Sequence, residues 1–358
     1  MPTRGSVYIE RRFLLRFRRA IHSVAAMSQG DLIRRVASRL GIACDSETTA
    51  PFLFRLTYPN GGIRYVLDSD FAVNRAASLV VSDIKPCIYR FLGQAGHPVP
   101  EYKVFFADAW ARQFGIDRDQ ASAFAFAAEL GYPVVVKPAN SFRGRGVQLA
   151  FAPGELERAI TGALAFDSMF IVQRYIAGEE YRLVVFDGAV RLAYEKCPLE
   201  IVGDGRSTCQ QLIEASLEAS RSAGIPADVT AADPRIDPFL ANQGLARDAV
   251  PEAGRTCRAG LAAGFPAGGR LVERWNMLPA GLAERAIAVA QASGLRLVGL
   301  DILVAPSGTC YTIDVNSPPA LEGYAALGSC QRERTEALVA DLLCATGASA
   351  AVVPCEPA

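Results

Sequence analysis

The sequence predicts an α/β protein assembled from several α+β lobes, and three patterns carry that expectation. Helical apolar spacing alternates with short β runs along the chain, from Asp31–Gly41 to Arg332–Leu343. The β runs pair locally at turn signals such as Pro59-Asn60-Gly61-Gly62 and Asp187-Gly188. One late stretch, Val298–Pro319, reads as an apolar hairpin that nevertheless carries two acids and an amide.

Composition narrows the classes. A chain of 358 residues has room for two or three lobes. With 51% apolar and 21% charged residues it reads as globular. The formal net charge is zero, so neither nucleic acid nor a membrane surface is expected as a partner. No run of about 18 apolar residues predicts a membrane span. Nine scattered cysteines without a CxxC pair suggest neither a zinc site nor a disulfide framework, and point to a reducing cytoplasm. Residues 1–27 form a basic extension, amphipathic over Arg11–Arg19. It would suit an acidic surface or a targeting role. The favoured reading is a solvated Arg face, or an extension upstream of a start at Met27.

In chain order, Asp31–Gly41 predicts a helix with a Gly stop, and Phe52–Tyr58 with Ile63–Leu67 a hairpin. A helix opens near Lys85 and breaks at Gly96-His97-Pro98-Val99-Pro100. Helix Gln120–Leu130 leads into strand Val134–Pro138 and a glycine-bearing loop, Ser141–Gly146. Helix Glu155–Phe166, strand Met169–Ile176 and the hairpin Tyr181–Phe186/Ala189–Tyr194 follow. Residues 224–262 read as irregular and substrate-facing. Helix Leu282–Ser293, the acidic hairpin and a last helix close the chain.

The acidic hairpin carries chemistry. If Ser307-Gly308 is a two-residue loop, Asp301 stands opposite Asp314, and period 2 brings Asn316 to the same face. Carboxylates ~5 Å apart at an effective dielectric of ~20 repel by about 3 kcal/mol. Nothing in the hairpin offsets that, whereas a hard divalent cation would. Replacing either acid by Asn is then expected to leave the fold intact or more stable. The alternative is a surface hairpin with solvated acids.

Lys137 ends an apolar β run, where a buried ammonium calls for an anionic partner. The loop after it, with Ser141, Arg143, Gly144, Arg145 and Gly146, can aim backbone N–H groups at phosphate oxygens. It is neither a P-loop nor a dinucleotide fingerprint. A plain hairpin turn beside a satisfied lysine is the competing reading.

Taken in order, these pieces resemble the ATP-grasp superfamily from about Asp83 to Leu343. They look closest to carboxylate–amine ligases of the cyanophycin-synthetase and glutathione-forming type. The resemblance implies ATP lying between two α+β lobes of a three-lobed protein. Lys85 and Lys137 then match the two nucleotide-contacting lysines, and Ser141–Gly146 the phosphate-covering loop. Gln173, Arg174, Tyr175 and Ile176 match the adenine hinge, and Glu180 the ribose-binding acid. Asp301, Asp314 and Asn316 match the metal triad, implying Mg²⁺ with Mn²⁺ as substitute. Lys196 matches a basic position implied to face the transferred phosphoryl group, Arg182 another basic position of the subfamily, and Val202–Thr208 a motif of the same subfamily. Gly268-Gly269 matches a glycine pair, although Phe265-Pro266-Ala267 replaces the polar residues expected before it.

The implied activity is amide formation from small-molecule or peptide carboxylates and amines through an acyl phosphate, by a homo-oligomer. A phosphotransferase and a non-catalytic nucleotide-binding module are the rival classes. The expected lobes are 28–85, 86–175 and 176–350, the second bearing the glycine loop and the third the metal site.

Overall fold

The computed structural model describes residues 28–46, 50–141, 144–222, 227–263 and 268–348. The basic N-terminal extension, Arg143 and the Phe265-Pro266-Ala267 substitution lie outside them. The chain divides into two compact units, Ala76–Ser317 and a smaller one from residues before 76 and after 317.

In the smaller unit, helix α1 (Gln29–Arg39) begins where Ser28 and Asp31 form a reciprocal capping box. Strands β1 (Ala43–Ser46), β2 (Leu53–Thr57) and β3 (Ile63–Leu67) make an antiparallel meander. The last helix of the chain, Ser329–Ala348, returns to it. Glu336 meets Arg35 and Arg39, Tyr58 donates to the Leu343 carbonyl at 2.8 Å, and Thr346 donates to that of Phe71.

The larger unit holds two antiparallel sheets. After helices α2 (Ala76–Asp83) and α3 (Lys85–Gln94) comes β4 (Tyr102–Phe106), then α4 (Asp108–Phe114) and α5 (Gln120–Leu130). Strands β5 (Val134–Pro138) and β6 (Gln148–Ala150), helix α6 (Pro153–Leu164) and β7 (Met169–Arg174) complete the first sheet, ordered β4-β7-β5-β6. Alternation gives each face its job. Val134, Val136, Phe170 and Val172 bury against α5 and α6. Val135, Lys137, Ile171 and Gln173 therefore share the opposite face, with Val135 opposite Gln173 and Lys137 opposite Ile171.

The second sheet starts with β8 (Glu179–Phe186) and β9 (Ala189–Val202), fourteen residues where the sequence suggested a short hairpin arm. Helix α7 (Cys209–Ser222), helix α8 (Asp237–Ala241) and strands β10 (Thr256–Ala263) and β11 (Arg270–Glu273) follow. Residues 227–263 are thus not irregular: β10 pairs with the far end of β9 over a small core including Leu199, Ile213 and Leu240. Helix α9 (Leu282–Ser293) precedes β12 (Leu297–Val304) and β13 (Cys310–Asn316). The order is β10-β9-β8-β12-β13. Tyr181, Leu183, Val298, Leu300 and Val315 pack with α3 and α9 residues such as Tyr89 and Ala286. Period 2 leaves Glu180, Arg182, Lys196, Asp301, Asp314 and Asn316 on the other face. No helix among the described residues is long and apolar enough to cross a membrane.

Candidate active site

Asp301 and Asp314 are paired opposite each other in β12–β13, as the period predicted, but by a different route. The chain turns through three residues, since the Ala305 N–H bonds to the Thr309 carbonyl. Ile302 then pairs with Thr312, and the one-residue offset is absorbed before Asp301 meets Asp314. Ile313 is the extra residue. Such a bulge frees a carbonyl from the ladder, and the Ile313 carbonyl accepts instead from Tyr89 and Lys137.

The charge on the two acids is offset by neighbours outside the hairpin. Arg182, directly across from Asp301 on β8, grips it through two guanidinium nitrogens, and Lys196 reaches it at 3.2 Å. Lys85, at the start of α3, pairs with Asp314 at 2.9 Å and donates to the Ser141 carbonyl at 3.3 Å. Lys196 also bonds Glu180, its cross-strand partner. Burial would raise both aspartates, but the facing cations outweigh it and hold them below the usual carboxylate range. Burial works against charge on Arg182 and Lys196, yet Asp301 keeps both above their ordinary values. Glu180 is raised by burial, with Lys196 pulling the other way. The expectation that Asp→Asn relieves repulsion is therefore corrected. Loss of either carboxylate would strand a buried cation.

Lys137 differs from these. It is 5% exposed and no carboxylate pairs with it among the described residues; its partners are the Tyr89 hydroxyl at 2.7 Å and the Ile313 carbonyl at 3.3 Å. Burial pushes it down to about 7, with Asp314 opposing. Within this cluster Lys85, Lys137, Arg182 and Lys196 face Glu180, Asp301 and Asp314, so one positive charge is in excess.

The other expected residues divide. Gln173 is 5% exposed and its Oε1 has no hydrogen-bond partner among the described residues, an acceptor left open on the Lys137 face. Tyr175 and Ile176 continue from β7 half-buried, and the Tyr175 hydroxyl accepts from Arg258 at 3.1 Å. Arg174 turns its guanidinium away, to Glu101 at 2.8 Å and the Leu130 carbonyl at 2.9 Å. Gly144 and Gly146 both have positive φ; a Cβ at Gly146 would lie 2.8 Å from Pro138 Cγ. Ser141 precedes this turn and Arg145 lies within it. Gly268 serves packing: a Cβ there would collide with Leu217 and Val229. Asp204, lowered to about 2 by Ser207 and Arg206 N–H groups, only closes its own turn. Sequence reasoning missed Tyr89 and Arg258. The spacing of Tyr89 four residues after Lys85, one helical turn along the same face, was the available signal.

Among the described residues no three His, Cys, Asp or Glu side chains form a metal cage. Asp301, Asp314 and Asn316 nonetheless offer adjacent oxygen donors, with Asn316 Nδ2 3.5 Å from Asp301 Oδ2. Two carboxylates and an amide oxygen, completed by phosphate oxygens and water, suit Mg²⁺.

Residues 91–206 match a family model described as the D-ala D-ala ligase C-terminus. The chain is 29% identical over 239 residues to a cyanophycin synthetase of a Nostoc species, covering 65% of this chain and 24% of that protein. It is 26% identical over 193 residues to the glutathione biosynthesis bifunctional protein GshAB of Listeria welshimeri, 52% of this chain and 25% of that one. The chain thus spans about a quarter of these relatives. Its fold is similar to that of part of a bifunctional glutathione synthetase from Pasteurella multocida, with a TM-score of 0.52 at 18% identity, over 86% of this chain and 42% of the other.

Proposed function

We infer the function from one premise: this chain belongs to the ATP-grasp superfamily. On it we propose an ATP-dependent ligase that joins a carboxylate to an amine, releasing ADP and phosphate. The observation that carries the reading is Lys137, a buried lysine with no carboxylate partner among the described residues, ahead of a glycine turn and on one face with the open Gln173 acceptor. A polyanion with a base at its far end complements that arrangement.

In this reading Gln173, Tyr175 and Ile176 receive the base, Glu180 the ribose, and Lys85, Lys137 and the Ser141–Gly146 loop the phosphates. Mg²⁺ held by Asp301, Asp314 and Asn316 would supply charge neutralisation at the outer phosphates. Arg182 and Lys196 lie beside these acids, where they oppose negative charge developing on the γ-phosphoryl group. A substrate carboxylate attacks that phosphorus, the β–γ bridge oxygen leaves with ADP, and an acyl phosphate results. The amine then displaces phosphate. Lys137, drawn down to about 7, is fully protonated once phosphate lies against it. Catalysis by positioning and electrostatics needs no side-chain nucleophile.

The test is nucleotide chromatography with mass detection over pairs of amino acids and short peptides. Amine-dependent release of ADP and phosphate with a coupled amide is expected, and hydroxylamine should trap a hydroxamate. Stoichiometric AMP and pyrophosphate would overturn the mechanism.

A further inference from the structure

We propose that Tyr89 is a positioning residue that holds the Lys137 ammonium toward bound phosphate. The inference rests on the ligase reading for what the phosphate is, and on the geometry of α3, β5 and β13 for the rest.

Tyr89 is fully buried, one helical turn after Lys85. Its hydroxyl accepts from Lys137 at 2.7 Å and donates to the Ile313 carbonyl. That carbonyl is free because Ile313 is the bulged residue of β13. The lysine also lies over the phenol ring, with Nζ 4.9 Å from its centroid. The ring is fixed in turn by an edge-on contact with Tyr102 at 5.2 Å. Helix, strand and bulge thus converge on one ammonium without supplying a counter-charge.

A carboxylate in place of Tyr89 would fix the lysine and cancel its charge. A phenol fixes it and leaves the charge for a ligand. Lys85 shows the contrast: one turn earlier on the same helix face, it is neutralised by Asp314. The helix therefore presents a compensated lysine and braces an uncompensated one.

The test measures binding to the full chain with magnesium present, using inorganic tripolyphosphate and adenosine as separate probes. Tyr89→Phe should weaken tripolyphosphate binding by about tenfold, as for a lost hydrogen bond to a charged group, and leave adenosine binding unchanged. In a Lys137→Met background the same substitution should have no further effect on tripolyphosphate. Tyr102→Phe, which removes the neighbouring hydroxyl's bond to the Pro86 carbonyl, is the packing control and should leave both affinities unchanged. Equal losses for both probes, or an undiminished Tyr89→Phe effect without Lys137, would show a structural role and overturn the proposal. Should Tyr89→Phe not fold, the near-UV tyrosine spectrum decides: a change on tripolyphosphate binding in wild type, absent in Lys137→Met, is expected, and no change in wild type contradicts it. Wild-type binding without amide formation would sink the ligase reading and leave this proposal standing. Failure of the wild type to bind either probe would end both.

Discussion

The two sheets of the larger unit handle buried charge in opposite ways. On the β9-β8-β12-β13 face, Arg182, Asp301 and Asp314 stand side by side across adjacent strands, and Lys85, Lys196 and Glu180 complete the pairing. Among the described residues, Lys137 on the β7-β5 face meets only a phenol and a carbonyl, and the Gln173 oxygen has no hydrogen-bond partner. The first arrangement is electrostatically closed and holds itself together. The second is open, which costs stability and is maintained only if a ligand closes it. The difference separates the part of the site whose charges already offset one another from the part whose polar groups are left open.

The sharpest way to break the comparison is to remove a charge from each face. Asp301→Asn leaves Arg182 and Lys196 buried beside a neutral amide, and should cost about 3–5 kcal/mol in urea unfolding. Lys137→Met removes a desolvated cation without a counter-charge. Its unfolding midpoint without nucleotide should be equal to wild type or higher, while ADP affinity falls by about tenfold or more. If Lys137→Met destabilised the protein as much as Asp301→Asn, the two faces would not differ. The smallest effect is expected at Gln173. Gln173→Leu removes a buried acceptor that lacks a partner and should stabilise the ligand-free chain by about 1 kcal/mol, while weakening ATP more than tripolyphosphate.

These contrasts were only partly legible in the sequence. Period 2 placed Asp301, Asp314 and Asn316 on one face, and the apolar runs marked β5, β7, β12 and β13. The pairing of Asp301 with Asp314 was anticipated through a two-residue loop, whereas a three-residue turn and a bulge combine to give it. The carbonyl that the bulge frees is taken up by Tyr89 and Lys137, which are remote in sequence, so no local pattern announced it. For the same reason Arg182 as the partner of Asp301 was invisible: strand β8 precedes β12 by more than a hundred residues. Residues 227–263 lack a clear period because short elements there share one small core with β9. The shared face of Asp301, Asp314 and Asn316 was readable; the pairing of their charges was not.

The open face also titrates. Lys137 is drawn to about 7 from 10.5, mainly by burial. The unfolded chain therefore binds more protons between these values, and ligand-free stability should rise with pH across that window. In the proposed reading, nucleotide binding would reverse the shift by supplying an anion. The direct measurement is calorimetric titration of ADP and magnesium at pH 8, in buffers of different ionisation enthalpy. Uptake of about one proton per bound nucleotide is predicted for the wild type, and none for Lys137→Met. Binding without proton uptake by the wild type would show that Lys137 is already compensated, and would contradict the account.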